Sequence, residues 1–367
     1  MNIQEFFQLC NSHPWAYIAL IINFGVVFVN GWTDGPNSIA TAVTTRAITP
    51  KKAVTMCALL NAAGVVVIGA FSHYISKVLG GGDVSQTIAN LVNWGSASVD
   101  QVLCAIACGL LAIVVVSLLC TYFGFPSSQS NCLVGGITGA GLAIMILGKG
   151  GSIALNPWIK VIIGFTGSLV LGFALGYGLT LLIQVLFRKM TRGKTTRFFN
   201  VGQIVTSGLM SFMHGVQDGA KFLGISILIG AILSSANGGS YSDALIALSG
   251  QWWIYIPVAV LITAGTFMGG YKIIKTMGRG MAILQKYQAF ATDIAASIGL
   301  LLATFFGLPV STGTMKSTAI MGGGAAKSFR RVKWNTAGRM VMWGVIVFPA
   351  SALVGLILTF IFVWTCK

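Results

Sequence analysis

Long apolar runs separated by short polar connections recur along the whole chain. About 20 consecutive apolar residues suffice for one membrane-crossing helix, and ten runs approach or exceed this length. We predict spans at 15–48, 53–79, 99–122, 125–147, 157–187, 201–233, 252–277, 286–306, 308–323 and 338–364. The pattern therefore predicts an all-α polytopic membrane protein.

Two of the predicted spans are interrupted by glycines and polar residues. The first contains NGWTDGPN, from Asn30 to Asn37, and the sixth contains HGVQDG, from His214 to Gly219. Backbone can leave the helical form at membrane depth only where it is buried in protein or lines a water-filled cavity. We therefore predict broken or half-membrane helices at both places, next to a functional site.

The two interruptions belong to an internal duplication. Asp34 and Asp218 lie 184 positions apart, and a second motif pair, FGFPSS and FGLPVS, places Pro126 and Pro309 183 positions apart. Each half holds about five spans, an odd number, so the second copy must be inverted relative to the first. Inverted-topology repeats are typical of secondary transporters. The predicted units are an N-terminal repeat at 1–190, a basic cytoplasmic linker at 191–200 and a C-terminal inverted repeat at 201–367.

Composition supports the membrane class and fixes an orientation. Only 8% of the residues are charged, against about 25% in soluble domains. The formal net charge is +16, and most of the 23 Lys and Arg fall in alternate connections. The positive-inside rule assigns those connections to the cytoplasm. We predict no nucleic-acid partner, a multi-pass protein of the plasma membrane (the inner membrane of a bacterium) and both termini outside.

The spacing of cysteines and histidines predicts neither a Cys/His metal centre nor disulfide bonds. The seven cysteines show no CxxC or paired spacing, and the three histidines form no HExxH motif. The cysteines fall mostly in apolar runs, where they are typical small buried residues.

Of the seven acidic residues, Asp34, Asp218 and Asp293 fall well inside predicted spans, and Asp100 lies at the start of one. A carboxylate at that depth needs a partner, which is a bound cation, a transferred proton or a salt bridge; Lys221 could supply the last to Asp218. Amide and hydroxyl oxygens near the interruptions suit a hard cation such as Na⁺. The predicted Na⁺ ligands are Asn30, Thr33, Asp34, Asn37, Gln217, Asp218 and Asp293.

The second motif pair, FPSSQSN and LPVSTGT, places proline and hydroxyl residues ahead of an apolar helix. These residues begin helices, and helix N-termini bind anions. Ordinary capping uses the same residues, but two copies at repeat-related positions favour facing N-termini around a tetrahedral oxyanion. Lys221 and Lys316 could neutralise that anion or reach to the membrane surface; for Lys221 we favour a structural charge balance. The predicted anion ligands are Ser127, Ser128, Gln129, Ser130, Ser311, Thr312 and Thr314.

These motifs resemble the Pit family of inorganic phosphate transporters. The resemblance rests on NGWTDGPNSIATAVTTRAITPKKA, MHGVQDGAKFLGI, FPSSQSNCLVGGITGAG and LPVSTGTMKSTAIMGGGAAK. It implies a secondary transporter without a cofactor, not an enzyme, that moves phosphate with Na⁺ or H⁺. It implies that the half-helix motifs bind phosphate and the aspartate motifs bind the cation. It also implies a homodimer and, in bacteria, a cytoplasmic partner resembling PhoU as associations to test.

The chain departs from the family pattern after the two prolines. Asn131 and Thr314 stand where relatives have histidine, and Gln129 stands where some relatives have glutamate. The loss of titratable groups favours Na⁺ over H⁺. Gln129 and Asn131 can accept a hydrogen bond from phosphate, which fully ionised sulfate cannot donate.

The sequence therefore predicts a Na⁺-driven phosphate symporter that works by alternating access. An H⁺-coupled symporter and a sulfate permease of the same fold are the alternatives. An intramembrane aspartyl protease would need YD and GxGD contexts, which Asp34 and Asp218 lack. An anion channel would not need a duplicated carboxylate site.

Overall fold

The structure is a computed structural model that describes residues 2–79, 83–123, 128–270, 274–275 and 280–365. Helices dominate it. They are α1 (Ile3–Ser12), α2 (Pro14–Thr33), α3 (Ala40–Thr44), α4 (Pro50–Leu79), α5 (Val84–Ala89), α6 (Val99–Phe123), α7 (Gln129–Ile146), α8 (Leu155–Leu186), α9 (Arg192–Ala236), α10 (Tyr241–Leu248), α11 (Trp252–Phe267), α12 (Lys286–Phe305), α13 (Thr312–Ala325) and α14 (Trp334–Phe362). Two short strands, β1 (Val92–Asn93) and β2 (Ser152–Ile153), pair antiparallel.

Eight helices within the described ranges are long and apolar enough to cross a membrane. A ninth arises if α10 and α11, which meet at a 60° bend, form one span. The predicted span at 308–323 is instead the 14-residue helix α13, about 21 Å long, which is shorter than a hydrocarbon core of about 30 Å. The all-α multi-pass class is confirmed, whereas ten complete spans are too many for the described residues.

The predicted interruption of the first span is present. Helix α2 ends at Thr33, a 3₁₀ turn covers Gly35–Asn37, and α3 resumes at Ala40. Pro36 has no N–H to donate, so it cannot continue the hydrogen-bonding pattern of α2. The turn is buried inside the protein, as irregular backbone in a membrane protein must be unless it lines a cavity.

The predicted interruption of the sixth span is wrong. Helix α9 runs without a break from Arg192 to Ala236 and so includes the HGVQDG motif and most of the predicted linker. This motif contains no proline, and a glycine within a helix costs only about 1 kcal/mol. Its glycines have a packing role, because a Cβ on Gly215 would lie 2.2 Å from the Asn61 carbonyl oxygen of α4. Glycine here permits close approach of two helices.

Sequence-matched helices of the two halves have matched packing partners. Helix α4 packs against α9 and α2 against α11; α7 packs against α14 and α8 against α13; α6 packs against α2 and α12 against α9. A pseudo-twofold relation between the halves predicts such an exchange of partners. The inverted orientation of the second half stays a prediction.

Burial places the polar residues at the centre of the bundle and the apolar ones at its periphery. Helices α7 and α9 are mostly buried, whereas only about a fifth of the most apolar stretch of α8 and of α14 is buried. In a bilayer the exposed faces of α8 and α14 contact lipid. The polar side chains on α2, α7, α9 and α13 are therefore shielded from lipid and form the interior site.

Candidate functional site

Two helix N-termini face each other at the centre of the molecule. Ser128 is the N-cap of α7 and accepts a hydrogen bond from the Asn131 N–H at 3.4 Å. Ser311 is the N-cap of α13 and accepts one from the Thr314 N–H at 3.2 Å. The Ser128 hydroxyl donates to the Ser311 Oγ at 2.9 Å. The positive ends of two helix dipoles thus converge on one place, which suits an anion.

The aspartates of the two repeat motifs meet at a shared amide. Asn30 Nδ2 lies 3.4 Å from Asp34 Oδ2 and 3.1 Å from Asp218 Oδ2, and it donates to both. Asp34 is 6% exposed and Asp218 is fully buried. Two carboxylates this close in a low-dielectric interior repel each other, so the arrangement requires either a neighbouring positive charge or a proton on one of the two.

Lys221 supplies one positive charge and links the acidic residues to both N-terminal segments. Its Nζ donates to Asp218 Oδ1 at 2.7 Å, to Ser130 Oγ at 2.6 Å and to the Val310 carbonyl oxygen at 2.5 Å. The ammonium group therefore contacts α9, the first turn of α7 and the segment ahead of α13. Its side chain is buried, which fits an internal ion pair and does not fit a lysine that reaches the membrane surface.

Histidine and asparagine extend this network towards α4. His214 Nε2 lies 3.3 Å from Asp218 Oδ2, and His214 Nδ1 lies 3.1 Å from Asn61 Oδ1. The Asn61 amide in turn donates to Thr266 Oγ1 at 3.1 Å. Sequence reasoning missed Asn61, although a single asparagine inside an apolar span is itself a signal of a buried polar contact.

Some of the remaining predicted ligands contact the network around Asp34 and Asp218, and others lie beside it. Thr312 Oγ1 donates to Asp218 Oδ2 at 3.5 Å, and Gln129 Nε2 donates to Thr33 Oγ1 at 3.1 Å. Gln217 instead donates to the Leu308 carbonyl oxygen at 2.8 Å. Gln217 thus holds the segment that leads into α13. Ser127 and Pro126 lie outside the described residues.

Three buried acceptor oxygens near the aspartates have no hydrogen-bond partner among the described residues. They are Asn30 Oδ1, Asn37 Oδ1 and Gln129 Oε1. An unsatisfied buried acceptor costs about 1–3 kcal/mol. Amide oxygens beside carboxylates are the ligands that hard cations prefer, so the oxygens of Asn30 and Asn37, both predicted Na⁺ ligands, fit a site for Na⁺. The Gln129 oxygen belongs to the predicted anion ligands.

Asp293 belongs to a separate ionic pair. It pairs with Lys316, and its Oδ1 also accepts a hydrogen bond from Thr41 Oγ1 at 2.8 Å. Both charged side chains are fully buried. No hydrogen bond of the described structure joins Asp293 to Asp34 or Asp218, so the structure does not place it with the other predicted cation ligands.

The chain is similar to phosphate transporters over nearly its whole length. The sequence profile of the phosphate transporter family matches residues 30–355. A probable low-affinity inorganic phosphate transporter of Bacillus subtilis is 33% identical, over 91% of this chain and 93% of the relative. One of Rhizobium meliloti is also 33% identical, over 89% and 90%.

A solved structure shares the fold. It is described as the sodium-dependent phosphate transporter, and it superposes with a TM-score of 0.81 over 95% of this chain and 98% of its own. The two sequences are 21% identical. The similarity therefore establishes a common architecture.

Proposed function

This chain belongs to the phosphate transporter family, and from that premise we propose that it imports inorganic phosphate by symport with Na⁺. It is a multi-pass membrane transporter and not an enzyme. One observation carries the proposal: a single ammonium group joins an anion-type site to a cation-type site. Lys221 contacts Ser130 of the anion-type site and Asp218 of the cation-type site.

Phosphate is proposed to bind between the N-termini of α7 and α13. The hydroxyls of Ser128, Ser130, Ser311 and Thr312 and the first backbone N–H groups of both helices would donate to the oxyanion. The contacts from Ser128 to Ser311, from Lys221 to Ser130 and from Thr312 to Asp218 support this grouping. Phosphate would replace the direct hydrogen bond between Ser128 and Ser311. Gln129 offers a buried acceptor oxygen for the proton that phosphate carries and sulfate lacks, which favours phosphate.

Na⁺ is proposed to bind beside Asp34 and Asp218 as transported cargo. The unpartnered oxygens of Asn30 and Asn37 would complete a shell of carboxylate and amide ligands. Asp34, Asp218 and Lys221 together have a formal charge of −1. One Na⁺ brings this charge to zero before an oxyanion enters, so each ion lowers the electrostatic cost of binding the other.

Alternating access and inverted repeats complete the proposal. The units are 1–190, the basic stretch 191–200 and 201–367, although residues 192–200 are the first turns of α9. The exchanged packing partners of the two halves support a pseudo-twofold arrangement around the site, as in other secondary transporters with repeats.

The proposed location is a bacterial inner membrane, with both termini outside. A homodimer and a complex with a PhoU-like protein are associations to test.

H⁺ coupling is the second candidate. It is favoured by His214, whose Nε2 lies 3.3 Å from Asp218 Oδ2, because an imidazole and a carboxylate in contact can share a proton. A proton shared by this pair would serve the same electrostatic purpose as Na⁺.

Phosphate uptake into proteoliposomes separates the candidates. We expect radiolabelled phosphate to accumulate when a Na⁺ gradient is imposed, with little response to a pH gradient in Na⁺-free buffer and little inhibition by sulfate. Uptake driven by the pH gradient alone would favour H⁺ coupling. Strong competition by sulfate would favour an oxyanion permease, and non-saturating flux that ignores both gradients would favour a channel.

A further inference from the structure

Two adjoining cavities lie at the end of the bundle where α8 ends and α9 and α12 begin. One, of about 720 Å³, is lined by Gly193, Thr196, Arg197, Asn200, Val201 and Lys286. The other, of about 480 Å³, is lined in part by Ile183, Phe187, Phe199 and Tyr287. Both include Thr196 and Lys286, so together they form one continuous depression, which we call the α8–α9–α12 groove.

The polar part of the groove carries uncompensated positive charge. Arg197 and Lys286 line it, and the Lys286 Nζ is held by a 2.6 Å hydrogen bond to Asn200 Oδ1. Exposed Arg188, Lys189 and Lys194 flank it. The segments that build the groove, 183–201 and 285–287, contain no acidic residue. Helix α9 also begins here without a side-chain cap, which adds the positive end of its dipole.

The other part of the groove is aromatic and apolar. Phe199 lies with its ring centroid 4.9 Å from that of Phe187 and 6.2 Å from that of Tyr287. Immediately beside the groove, Val185, Leu186 and Val205 are exposed apolar side chains, which in a membrane protein face lipid. Aromatic residues bordered by basic ones are typical of the membrane–water interface.

We propose that the α8–α9–α12 groove binds an anionic phospholipid. The headgroup phosphate would contact Arg197 and Lys286, and an acyl chain would pack against Ile183, Phe187 and Phe199. A free phosphate would use only the polar part, whereas the groove joins a basic part to an apolar one that opens towards lipid. Basic pockets between transmembrane helices on the cytoplasmic side are suited to anionic headgroups. The site is separate from Ser128 and Ser311, so it does not rest on the proposed transport function.

Native mass spectrometry of the detergent-solubilised full chain tests the proposal. The probes are dioleoyl phosphatidylglycerol, dioleoyl phosphatidylcholine and glycerol 3-phosphate, the last as a headgroup without acyl chains. We expect Arg197→Gln combined with Lys286→Gln to raise the Kd for phosphatidylglycerol roughly 10- to 30-fold, as expected for the loss of two basic contacts with an anionic lipid. The charge-preserving pair Arg197→Lys and Lys286→Arg should restore most of the binding.

A matched control is Lys51→Gln combined with Lys52→Gln, which removes two exposed charges on the same predicted side of the membrane. This control should leave the Kd for phosphatidylglycerol unchanged. The proposal is overturned if the groove variant binds like the wild type, or if the control loses as much affinity. It is also overturned if phosphatidylcholine binds equally well or if glycerol 3-phosphate displaces the lipid at similar concentration.

Discussion

At the residue scale, the Asn30 side chain joins the two aspartate motifs. Its amide donates to Asp34 and to Asp218, and its oxygen has no partner among the described residues. We expect Asn30→Ala to raise the half-saturating Na⁺ concentration of phosphate uptake roughly 10- to 100-fold, because hydrogen bonds to charged groups contribute about 1.5–3 kcal/mol each. The measurement is uptake into proteoliposomes over a Na⁺ titration.

Asn23→Ala is the matched control for that variant. Asn23 is also a buried amide of α2, and it donates to Ser226 Oγ at 3.0 Å, away from the aspartates. It should change stability without changing the Na⁺ dependence. If Asn30→Ala kept the wild-type Na⁺ dependence, Asn30 would not be a cation ligand.

Ser311 combines a cap with a contact between the two halves of the chain. Ser311→Ala removes the acceptor for the Thr314 N–H and the hydrogen bond from Ser128. We expect the KM for phosphate to rise roughly 5- to 30-fold, because the variant loses the cap and the hydrogen bond that the Ser311 hydroxyl is proposed to donate to phosphate, each of which contributes about 1 kcal/mol. Ser240→Ala also removes a serine cap, at α10, and should leave the KM unchanged. An equal change in both variants would assign the effect to lost helix stability.

Asp83, between α4 and α5, gives a prediction for pH. Burial raises the pKa of the Asp83 carboxyl above its usual range, although Ser85 donates hydrogen bonds to it. The folded state therefore favours the protonated acid. The stability that protonated Asp83 contributes to the folded state is present below the unfolded-state pKa of this carboxyl, and it is lost as pH rises through the folded-state pKa.

Asp83→Asn keeps a good N-cap residue for α5 and removes the charge. We expect it to raise the free energy of unfolding at pH 7 by on the order of 1 kcal/mol and to flatten the decline of the melting temperature between pH 4 and pH 7. The measurement is thermal melting in detergent at several pH values. A variant less stable than the wild type at pH 7 would contradict this account of Asp83.

At the element scale, the contact between α4 and α9 depends on glycine. A Cβ on Gly215 would lie 2.2 Å from the Asn61 carbonyl oxygen, so Gly215→Ala must push the two helices apart. We expect this variant to lose about 1–3 kcal/mol, the usual cost of overpacking, and to lower the rate of phosphate uptake because His214 contacts Asn61 across the same interface. Thermal melting and uptake are the measurements.

Gly178→Ala is the control for Gly215→Ala, and it is expected to change the melting temperature in the opposite direction. A Cβ on Gly178 of α8 would meet nothing within 4 Å. Gly178→Ala should therefore raise the melting temperature, because alanine favours the helix over glycine by about 1 kcal/mol. Equal shifts in the same direction for both variants would show that helix propensity, and not helix separation, decides the outcome at Gly215.

The sequence predicted those parts of the site that duplication or local spacing marks. Asp34 and Asp218 occupy repeat-related positions, and Asp218 and Lys221 share a helix face, so their proximity could be foreseen. The pair Asp293 and Lys316 has no such signal, because the positions 184 residues earlier are Gly109 and Cys132. Continuity of α9 was also unforeseen, since a glycine-rich motif predicts helix packing as well as it predicts a break.

At the scale of the whole molecule, the exchange of packing partners between the halves is compatible with an inverted repeat and with a parallel one. Positions related by the repeat offset separate the two. Lys52 and Ala236 lie 184 positions apart, as Asp34 and Asp218 do, and both are exposed. In an inverted repeat they lie on opposite sides of the membrane, and in a parallel repeat they lie on the same side.

We expect a membrane-impermeant maleimide added to intact cells to label Ala236→Cys and not Lys52→Cys. The background carries Cys366→Ser, and the six cysteines within the described residues are buried. Permeabilised cells, in which both positions should react, control for side-chain accessibility. Labelling of both positions in intact cells, or of neither, would mean that the copies point the same way. The two helix N-termini at Ser128 and Ser311 would then need an explanation other than pseudo-twofold symmetry in the membrane plane.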